Sequence, residues 1–272
     1  MVKIFTMVKD EVDIVEEWVV YHGHIFGFKN LYVIDNFSTD GTYQLLNTLK
    51  IKYDIHITRL IDYAKKGEYM TSCVKQICKK EFGFPIDIDE FIVHYDKQTN
   101  KISCEKSLIM NYINSLPNLG IFKMNYIWNK LTNANGYTNA ATDCTTGYYS
   151  DYGFQAKTFF RSNLFNGNID HGNHYHSNNY VLTKLCLVHF HQRNLDQIKK
   201  KVFNNVSGLG YPPFNLYALK QLQNKSSVVE GFQHVNKQIS ILEKKFQLEM
   251  DVEEYNDISL VPLNEKIIKL SS

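Results

Sequence analysis

The sequence lacks the features that mark nucleic-acid-binding and membrane-spanning chains. Its 272 residues carry 30 basic and 28 acidic side chains, for a formal net charge of +2. This balance excludes the positive field of a nucleic-acid-binding domain. There is no apolar run of about eighteen residues, the minimum for a membrane-spanning helix. The N-terminus starts with a strand-like pattern and shows no signal peptide.

Cysteine is scarce and scattered, with five residues and no C-x-x-C pair. An odd number at irregular spacing argues against a disulfide framework and against a thiolate zinc site. The sequence therefore predicts a protein of a reducing compartment, and we expect a cytoplasmic location. A content of 44% hydrophobic residues, with 14% aromatic, is sufficient for one large core.

The first ninety or so residues alternate between strand and helix patterns. Four apolar, strand-like segments are separated by three segments with helical periodicity. The predicted strands are 2–8, 31–34, 55–60 and 84–93, and the predicted helices are 10–25, 43–49 and 69–80. This order predicts an α/β fold, with a mostly parallel sheet covered by helices on both faces.

The second half of the chain has a less regular pattern. It predicts a helix at 107–116, strands at 119–128, 154–161 and 181–189, and a long loop at 129–153. From residue 195 onward the pattern is helical, so we predict an α/β domain over 1–205 and a C-terminal helical extension over 206–272. The apolar side chains of this extension would pack on the core or form a homodimer; they are Ile239, Leu242, Phe246 and Leu248.

Two acids within an apolar segment are the first candidate site. Asp87 and Asp89 are two residues apart, and strand residues at this spacing point to the same side. Two adjacent carboxylates repel each other unless a cation lies between them. Mg²⁺ and Mn²⁺ prefer oxygen ligands, so the pair predicts a site for one of these ions.

A second polar cluster follows the second predicted strand. Asp35 and Asn36 end this strand, and Asp40 with Gly41 precedes the next helix as a cap and turn. Ligands of open parallel sheets bind outside the carboxyl ends of the strands. Both clusters are therefore expected at one edge, where they would form a site for a nucleoside diphosphate and its metal ion.

These motifs together resemble GT-A glycosyltransferases of the family-2-like and family-92-like type. The matching blocks occur in the family's order. They are K-D-E at 9–11 with E-W-V-V-Y-H at 17–22, D-N-F-S-T-D-G-T at 35–42, D-I-D-E-F at 87–91, and V-H-F-H-Q-R at 188–193 followed by lysines at 199–201. The resemblance implies a GT-A fold, a nucleotide-sugar donor and Mn²⁺ or Mg²⁺.

The resemblance also implies roles for individual residues. Asp35 and Asn36 would contact the nucleobase, which we expect to be uracil. Asp87 would reach the ribose or the metal, and Asp89 with His189 would bind the metal. From their place on a predicted strand, Lys157 and Arg161 are expected to offer positive charge to the leaving diphosphate.

An inverting glycosyltransferase needs a carboxylate that deprotonates the acceptor hydroxyl. We expect Asp170 to be this base, with Asp151, in a tyrosine-rich segment, second and Asp143 third. A zinc site is the competing interpretation of five histidines in the same region. They are His171, His174, His176, His189 and His191.

Two other classes of function remain open from the sequence. A nucleotidyltransferase would share nucleotide and metal chemistry, but normally has a glycine-rich, basic phosphate loop after the first strand, which residues 6–10 do not provide. A catalytically inactive sugar-binding protein would be free to lose the metal-binding acids, and Asp87, Asp89 and His189 are all present.

Overall fold

The computed structural model describes residues 2–79, 81–130, 137–193, 196–197, 200–201, 204 and 256–271. Within these ranges eleven strands form one sheet with helices on both of its faces. The predicted α/β architecture is confirmed, and so is the presence of a C-terminal helix. The strands are β1 (Val2–Val8), β2 (Leu31–Asp35), β3 (His56–Arg59), β4 (Phe82–Pro85), β5 (Glu90–Asp96), β6 (Lys101–Ser103), β7 (Ile121–Asn129), β8 (Thr146–Ser150), β9 (Lys157–Arg161), β10 (Val181–His189) and β11 (Asp257–Ser259).

Six α-helices lie within the described ranges. They are α1 (Val15–Phe26), α2 (Thr42–Tyr53), α3 (Lys66–Ile77), α4 (Lys106–Asn114), α5 (Ala140–Asp143) and α6 (Val261–Ser271). Asp40 caps α2, since its carboxylate accepts a hydrogen bond of 3.0 Å from the Thr42 amide, as the sequence predicts. Gly41, with φ of 102°, makes the turn that brings Asp40 to this position.

The strand order is β3-β2-β1-β4-β9-β7-β10-β5-β6, and β8 and β11 extend the sheet from β7. The first four strands are mutually parallel. Beyond β4 the neighbours are antiparallel, apart from the parallel pair of β7 and β10. The carboxyl ends of β1, β2, β4, β7 and β10 consequently lie along one edge of the sheet.

Alternation along β1 shows how the sheet is covered on both faces. Ile4 and Val8 belong to the larger apolar cluster, which includes residues of α1 and α2. Phe5 and Met7 belong to a second cluster with Met70 of α3. Because neighbouring strand residues point to opposite faces, the two clusters lie on opposite sides of the sheet.

The predicted strand at 84–93 is wrong, because the chain forms two strands there. β4 ends at Pro85 and β5 begins at Glu90. β4 pairs with β1 and β9, whereas β5 pairs with β10 and β6. The chain therefore crosses from one part of the sheet to another between these strands, and Asp87 and Asp89 lie in the crossing. Their placement does not follow from strand alternation.

The predicted loop at 129–153 is also wrong in part. It contains α5 and β8, and β8 pairs with β7 and with β11. The C-terminal residues join the same core, since Ile258, Leu263 and Ile267 are fully buried in the larger apolar cluster. The predicted domain boundary at 205 and the four apolar residues at 239–248 lie outside the described residues.

Across the described ranges, no helix combines the length and apolar composition required to cross a membrane.

Candidate active site

The connections after β1 and β2 form a rigid part of the sheet edge. The Asp10 carboxylate accepts a hydrogen bond of 2.6 Å from the Thr39 amide, and the Asp10 amide donates to the Ser38 hydroxyl at 2.9 Å. The Glu11 amide donates to the Thr42 hydroxyl at 2.9 Å. These hydrogen bonds hold the motif at 35–42 against residues 10–11, which connect β1 to α1.

Asp35 and Asn36 lie at this edge, as predicted, and both are buried. The Asp35 carboxylate accepts hydrogen bonds from Arg59 Nε at 2.8 Å and from the Ser38 amide at 3.2 Å. The Asn36 amide group donates to the Leu60 carbonyl at 2.8 Å. Both side chains therefore have protein partners, and their contact with a nucleobase stays a prediction.

Asp87 is the centre of a network of charged side chains. Its two carboxylate oxygens lie 2.7 Å from Lys66 Nζ and 2.8 Å from Lys157 Nζ, and Asn173 donates to it at 3.0 Å. Burial by itself raises the pKa of Asp87, but the two ammonium groups bring it well below its usual range. Asp87 is therefore a carboxylate with both oxygens engaged.

Lys157 binds two acidic side chains of the protein, whereas the sequence predicted that it would face the leaving diphosphate. Its Nζ lies 3.0 Å from Glu90 Oε1 in addition to the contact with Asp87, and it donates to the Gly172 carbonyl at 3.1 Å. Although burial lowers the pKa of Lys157, Asp87 and Glu90 raise it well above its usual value. Lys157 is thus a permanent cation that holds the crossing at 86–89 in place.

The prediction for Arg161 is wrong. Arg161 pairs with Phe82 at the amino end of β4, whereas the candidate site lies beyond the carboxyl end of that strand. Its guanidinium binds the carbonyl oxygens of Leu116 and Pro117. Since β9 runs antiparallel to β4, Lys157 and Arg161 occupy opposite edges of the sheet.

Asp89, His189 and His191 form the candidate metal centre. One potential ligand atom from each lies within 4.8 Å of the others, and within the described ranges no other group of three histidine, cysteine or acidic residues does so. His189 Nε2 lies 3.3 Å from Asp89 Oδ2, and neither of its buried ring nitrogens makes a regular hydrogen bond to the residues that the structure describes. One carboxylate with two imidazoles fits a divalent transition-metal ion such as Mn²⁺ better than Mg²⁺, which prefers oxygen ligands alone.

Asp87 is not in this group, and the predicted convergence of Asp87 and Asp89 on one metal ion stays a prediction. The two side chains lie in the crossing and face different partners. The Asp89 carboxylate is 2% exposed and contacts His189 and Lys201. Burial by itself raises its pKa, but Lys201 and His189 bring it well below the usual value. Asp89 is therefore ionised at neutral pH.

Aromatic rings form a wall beside the candidate metal centre. The Trp128 ring stacks on His189 at 4.7 Å and lies edge-on to His191 at 5.8 Å. Tyr126 and Tyr152 complete the wall, with centroids 5.2 Å apart. This packing orients the two imidazoles and restricts water on one side of Asp89.

Charged side chains from the C-terminal half of the chain cover the other side of the centre. Lys201 Nζ donates to Asp89 Oδ2, and Lys200 Nζ donates to Asp40. Arg193 is buried and binds Glu11 at 2.6 Å and Asp13 at 2.8 Å. Every one of these acids therefore has a basic partner within the chain.

The segment with Asp170 contacts the charged network directly. The Asp170 carboxylate accepts a hydrogen bond of 2.7 Å from the His174 amide, and its side chain is 42% exposed. The same turn supplies Asn173 and the Gly172 carbonyl to Asp87 and Lys157. The structure thus brings Asp170 next to the network.

Asp151 lies near the aromatic wall, while Asp143 has a structural task. Asp151 accepts hydrogen bonds from the Asn125 side chain at 3.2 Å and the Gly153 amide at 3.0 Å, and it is exposed. Asp143 is bound to the Asn139 amide at 3.0 Å within α5. Its interactions are local to that short helix.

A zinc site built from the five histidines is not formed by the described residues. Only His189 and His191 belong to the candidate metal group. His171 binds the Tyr63 carbonyl at 3.1 Å, and His176 stacks on Phe154. Burial and the nearby Lys157 lower the pKa of His174 to about 4, so this ring is neutral at physiological pH.

No protein-family model and no curated protein matches this chain. Among solved structures, it is similar to S. aureus TarS 1–349 in complex with UDP-GlcNAc, with 13% identity and a TM-score of 0.43, covering 93% of this chain and 77% of that one. The chain spans 46% of the length of TarS 1–349 in complex with UDP.

Two further solved structures belong to other enzymes. Glucosyl-3-phosphoglycerate synthase from Mycobacterium tuberculosis in complex with Mn²⁺ and UDP-glucose has 10% identity and a TM-score of 0.40, covering 78% of this chain and 80% of that one. A cytidylyltransferase from Leptospira borgpetersenii has 7% identity and a TM-score of 0.32, with coverages of 60% and 61%. Likeness at this level carries no conclusion about activity, and function has to follow from the site itself.

The sequence did not reveal the part that four side chains have in the site, although it already places His191 among the histidines of the competing zinc site. Lys66 and Asn173 bind Asp87, while Glu90 lies beside Lys157 and His191 joins the metal group. Lys66 comes from the first turn of α3, and Asn173 from a turn remote in sequence. Only the D-x-D-E pattern and the H-x-H spacing gave a signal, for Glu90 and His191.

Proposed function

We propose that this chain is a metal-dependent glycosyltransferase of the GT-A type, which transfers a sugar from a nucleotide-sugar to an acceptor hydroxyl. The observation that carries the proposal is the buried His189 ring beside Asp89, whose nitrogens make no regular hydrogen bond to the described part of the chain, at the edge where the carboxyl ends of β1, β2 and β4 meet. Such an edge is where α/β sheets bind nucleotides. A nucleotidyltransferase would share this edge and metal centre, but residues 6–10 do not provide its glycine-rich phosphate loop.

The donor would bind along this edge, and we propose a UDP-sugar. Asp35 and Asn36 would contact the base, supported by their position at the end of β2. For direct contact, Asp35 has to share its oxygens between Arg59 and the base. Asp87 would reach the ribose or the metal when Lys66 or Lys157 yields one oxygen.

Asp89, His189 and His191 would hold Mn²⁺ or Mg²⁺. When bound, such an ion supplies Lewis-acid stabilisation of the diphosphate leaving group. The protein's own contribution is to keep Asp89 ionised, to orient the imidazoles against Trp128 and to exclude water with the aromatic wall. Lys157 and Lys66 hold the crossing so that Asp89 keeps its position.

Asp170 is our proposed general base, for an inverting reaction. Its support is the contact of its own turn with Asp87 and Lys157, together with a carboxylate that is 42% exposed and able to meet an acceptor. Asp151 is the second candidate, supported by its place beside the aromatic wall.

Calorimetric titration of UDP into the protein, with Mn²⁺ and then with EDTA, tests the binding half of the proposal. We expect binding with Mn²⁺ and a loss of at least about tenfold in affinity with EDTA, since a typical coupling between two ligands spans 5–150-fold. UMP is the matched probe for base contacts without a diphosphate. Equal binding of UDP with and without the metal would contradict the proposed site.

Asp170→Asn tests the base. A base acts on the acceptor, so this variant should bind UDP with Mn²⁺ normally and lose transfer to a hydroxyl acceptor. Asp54→Asn is the matched control, since Asp54 is exposed at the end of α2 and is not a candidate base. Full transfer by Asp170→Asn would move the role to Asp151.

A further inference from the structure

The position of Lys201 on the candidate metal centre sets it apart from the other basic side chains. Its ammonium group donates to Asp89 Oδ2, the same oxygen that lies 3.3 Å from His189 Nε2. A divalent ion lying between Asp89 Oδ2 and His189 Nε2 would contact the same oxygen that Lys201 occupies. Two cations repel each other at such a distance, so Lys201 and the ion exclude each other there.

The ion pairs around the candidate metal centre show why a metal ion that displaces Lys201 binds less favourably. Asp87 has Lys66 and Lys157 as partners, and Asp40 has Lys200. Glu11 and Asp13 share Arg193. The acids around Asp89 therefore each have a basic partner already, and an ion that arrives alone has to displace Lys201 while bringing no anion for it to bind.

A nucleoside diphosphate removes this penalty because it brings negative charge of its own. A lysine on its flexible four-carbon stem binds phosphate as a point charge, and it can move from Asp89 to a neighbouring phosphate. The side chain of Lys201 is 23% exposed, so its ammonium is not locked in the core. Metal and diphosphate would then enter together.

We propose that Lys201 is an exchangeable cation of this centre, which occupies Asp89 in the free protein and pairs with the diphosphate of the donor when the metal binds. The proposal rests on the function proposed above. It assigns Lys201 to donor binding and makes the affinities for metal and nucleoside diphosphate depend on each other. Lys200 lacks this role, because its partner Asp40 caps α2 and is not in the metal group.

Titration calorimetry of Mn²⁺, with and without saturating UDP, tests the exchange in wild type, Lys201→Met and Lys201→Arg. For Lys201→Met we expect the Kd of Mn²⁺ alone to fall by at least about fivefold, the lower end of typical couplings. UDP should then tighten Mn²⁺ binding less than in the wild type. Lys201→Arg keeps a cation on Asp89 and should behave like the wild type.

Lys200→Met is the matched control, and its affinity for Mn²⁺ alone should not change. Thermal unfolding by circular dichroism verifies that each variant is folded. Suppose that the wild type binds both Mn²⁺ and UDP, but that Lys201→Met binds Mn²⁺ no more tightly than the wild type. This result would overturn the proposed exchange and leave the proposed function standing. A wild type that binds neither ligand overturns the proposed function, and the exchange with it.

Discussion

At the scale of single residues, Asp89 is the side chain on which the proposed chemistry depends most. Asp89→Asn keeps the shape of the side chain but removes the charge that attracts a divalent ion. We expect turnover to fall at least about a hundredfold, the loss typical of a key electrostatic group. Sugar transfer and Mn²⁺ affinity should be measured together, since both have to fall if Asp89 binds the ion.

The matched control is Asp54→Asn. Asp54 is exposed and ends α2 with φ of 57°, a conformation that asparagine also tolerates. We expect normal turnover and stability from this variant. Normal turnover by Asp89→Asn as well would show that the metal centre lies elsewhere.

His22 gives a residue-scale prediction for stability. It is fully buried, its Nδ1 pairs with the Trp18 carbonyl at 2.9 Å, and its Nε2 accepts from the Ile92 amide at 3.3 Å. Burial lowers its pKa from 6.5 to about 3. The unfolded chain therefore binds the proton first, and stability is complete above pH 6.5 and falls as the pH drops toward 3.

The slope should approach about 1.4 kcal/mol per pH unit within that window. Urea unfolding at several pH values, compared between wild type and His22→Gln, isolates this contribution, because glutamine does not titrate. The variant should lose that part of the pH dependence. If the unfolding free energies of the two proteins changed in parallel between about pH 6 and pH 4, His22 would not be the source of the pH dependence.

Residue identities at the site could be predicted from sequence where the motif itself supplies the ligand. The structure places Asp89 and His189 in one candidate metal group and Asp35 at the predicted edge, while their roles as ligands stay predictions. The partners of Asp87 could not be predicted, because Lys66 and Asn173 come from elements distant in the chain. A pattern of acids shows where charge is needed but not which cation neutralises it.

At the scale of elements, the strands with strong apolar alternation were predictable and their pairing was not. Residues 84–93 form a continuous apolar pattern, yet β4 and β5 have different neighbours. A period of two in the sequence shows which side chains share a face of the sheet. It does not show where one strand ends and the chain crosses to a different pairing partner. β8 is rich in tyrosine and glycine, and it becomes a strand through pairing with β7 and β11.

The contact between α3 and the turn at Asp170 gives an element-scale prediction. A Cβ added at Gly67 would lie 2.5 Å from the Ile169 carbonyl oxygen and 3.0 Å from the Asp170 carbonyl carbon. Both are backbone atoms, so the turn has to shift. We expect Gly67→Ala to cost about 1–3 kcal/mol of unfolding free energy, as overpacking does, and to slow transfer by displacing Asp170.

Urea unfolding and an assay of transfer at saturating donor measure these two effects. Gln76→Ala is the control on the same helix, because Gln76 is exposed. Its stability should stay within about 0.5 kcal/mol of the wild type. Unaltered stability in Gly67→Ala would mean that the turn tolerates a methyl group and that α3 does not position Asp170.

At the scale of the whole molecule, the C-terminal residues belong to the same sheet as the edge that carries the candidate metal centre. β11 pairs with β8, and β8 with β7, which carries Trp128 of the aromatic wall. Asn264 of α6 donates to the Ala141 carbonyl at 2.7 Å. The C-terminus is therefore coupled through one sheet to the strand beside the metal centre.

Leu263→Ala tests whether this coupling is cooperative. Leu263 is fully buried, and loss of a buried leucine costs about 2–5 kcal/mol. If α6 unfolds with the whole molecule, urea titration should show one transition with its midpoint lowered accordingly, whether followed by circular dichroism or by tryptophan fluorescence. Ile268→Ala on the same helix is the control, since Ile268 is 53% exposed and should change stability by less than about 0.5 kcal/mol. Two separate transitions in Leu263→Ala would show that α6 opens independently, and that the residues after 256 form an appendage rather than part of the core.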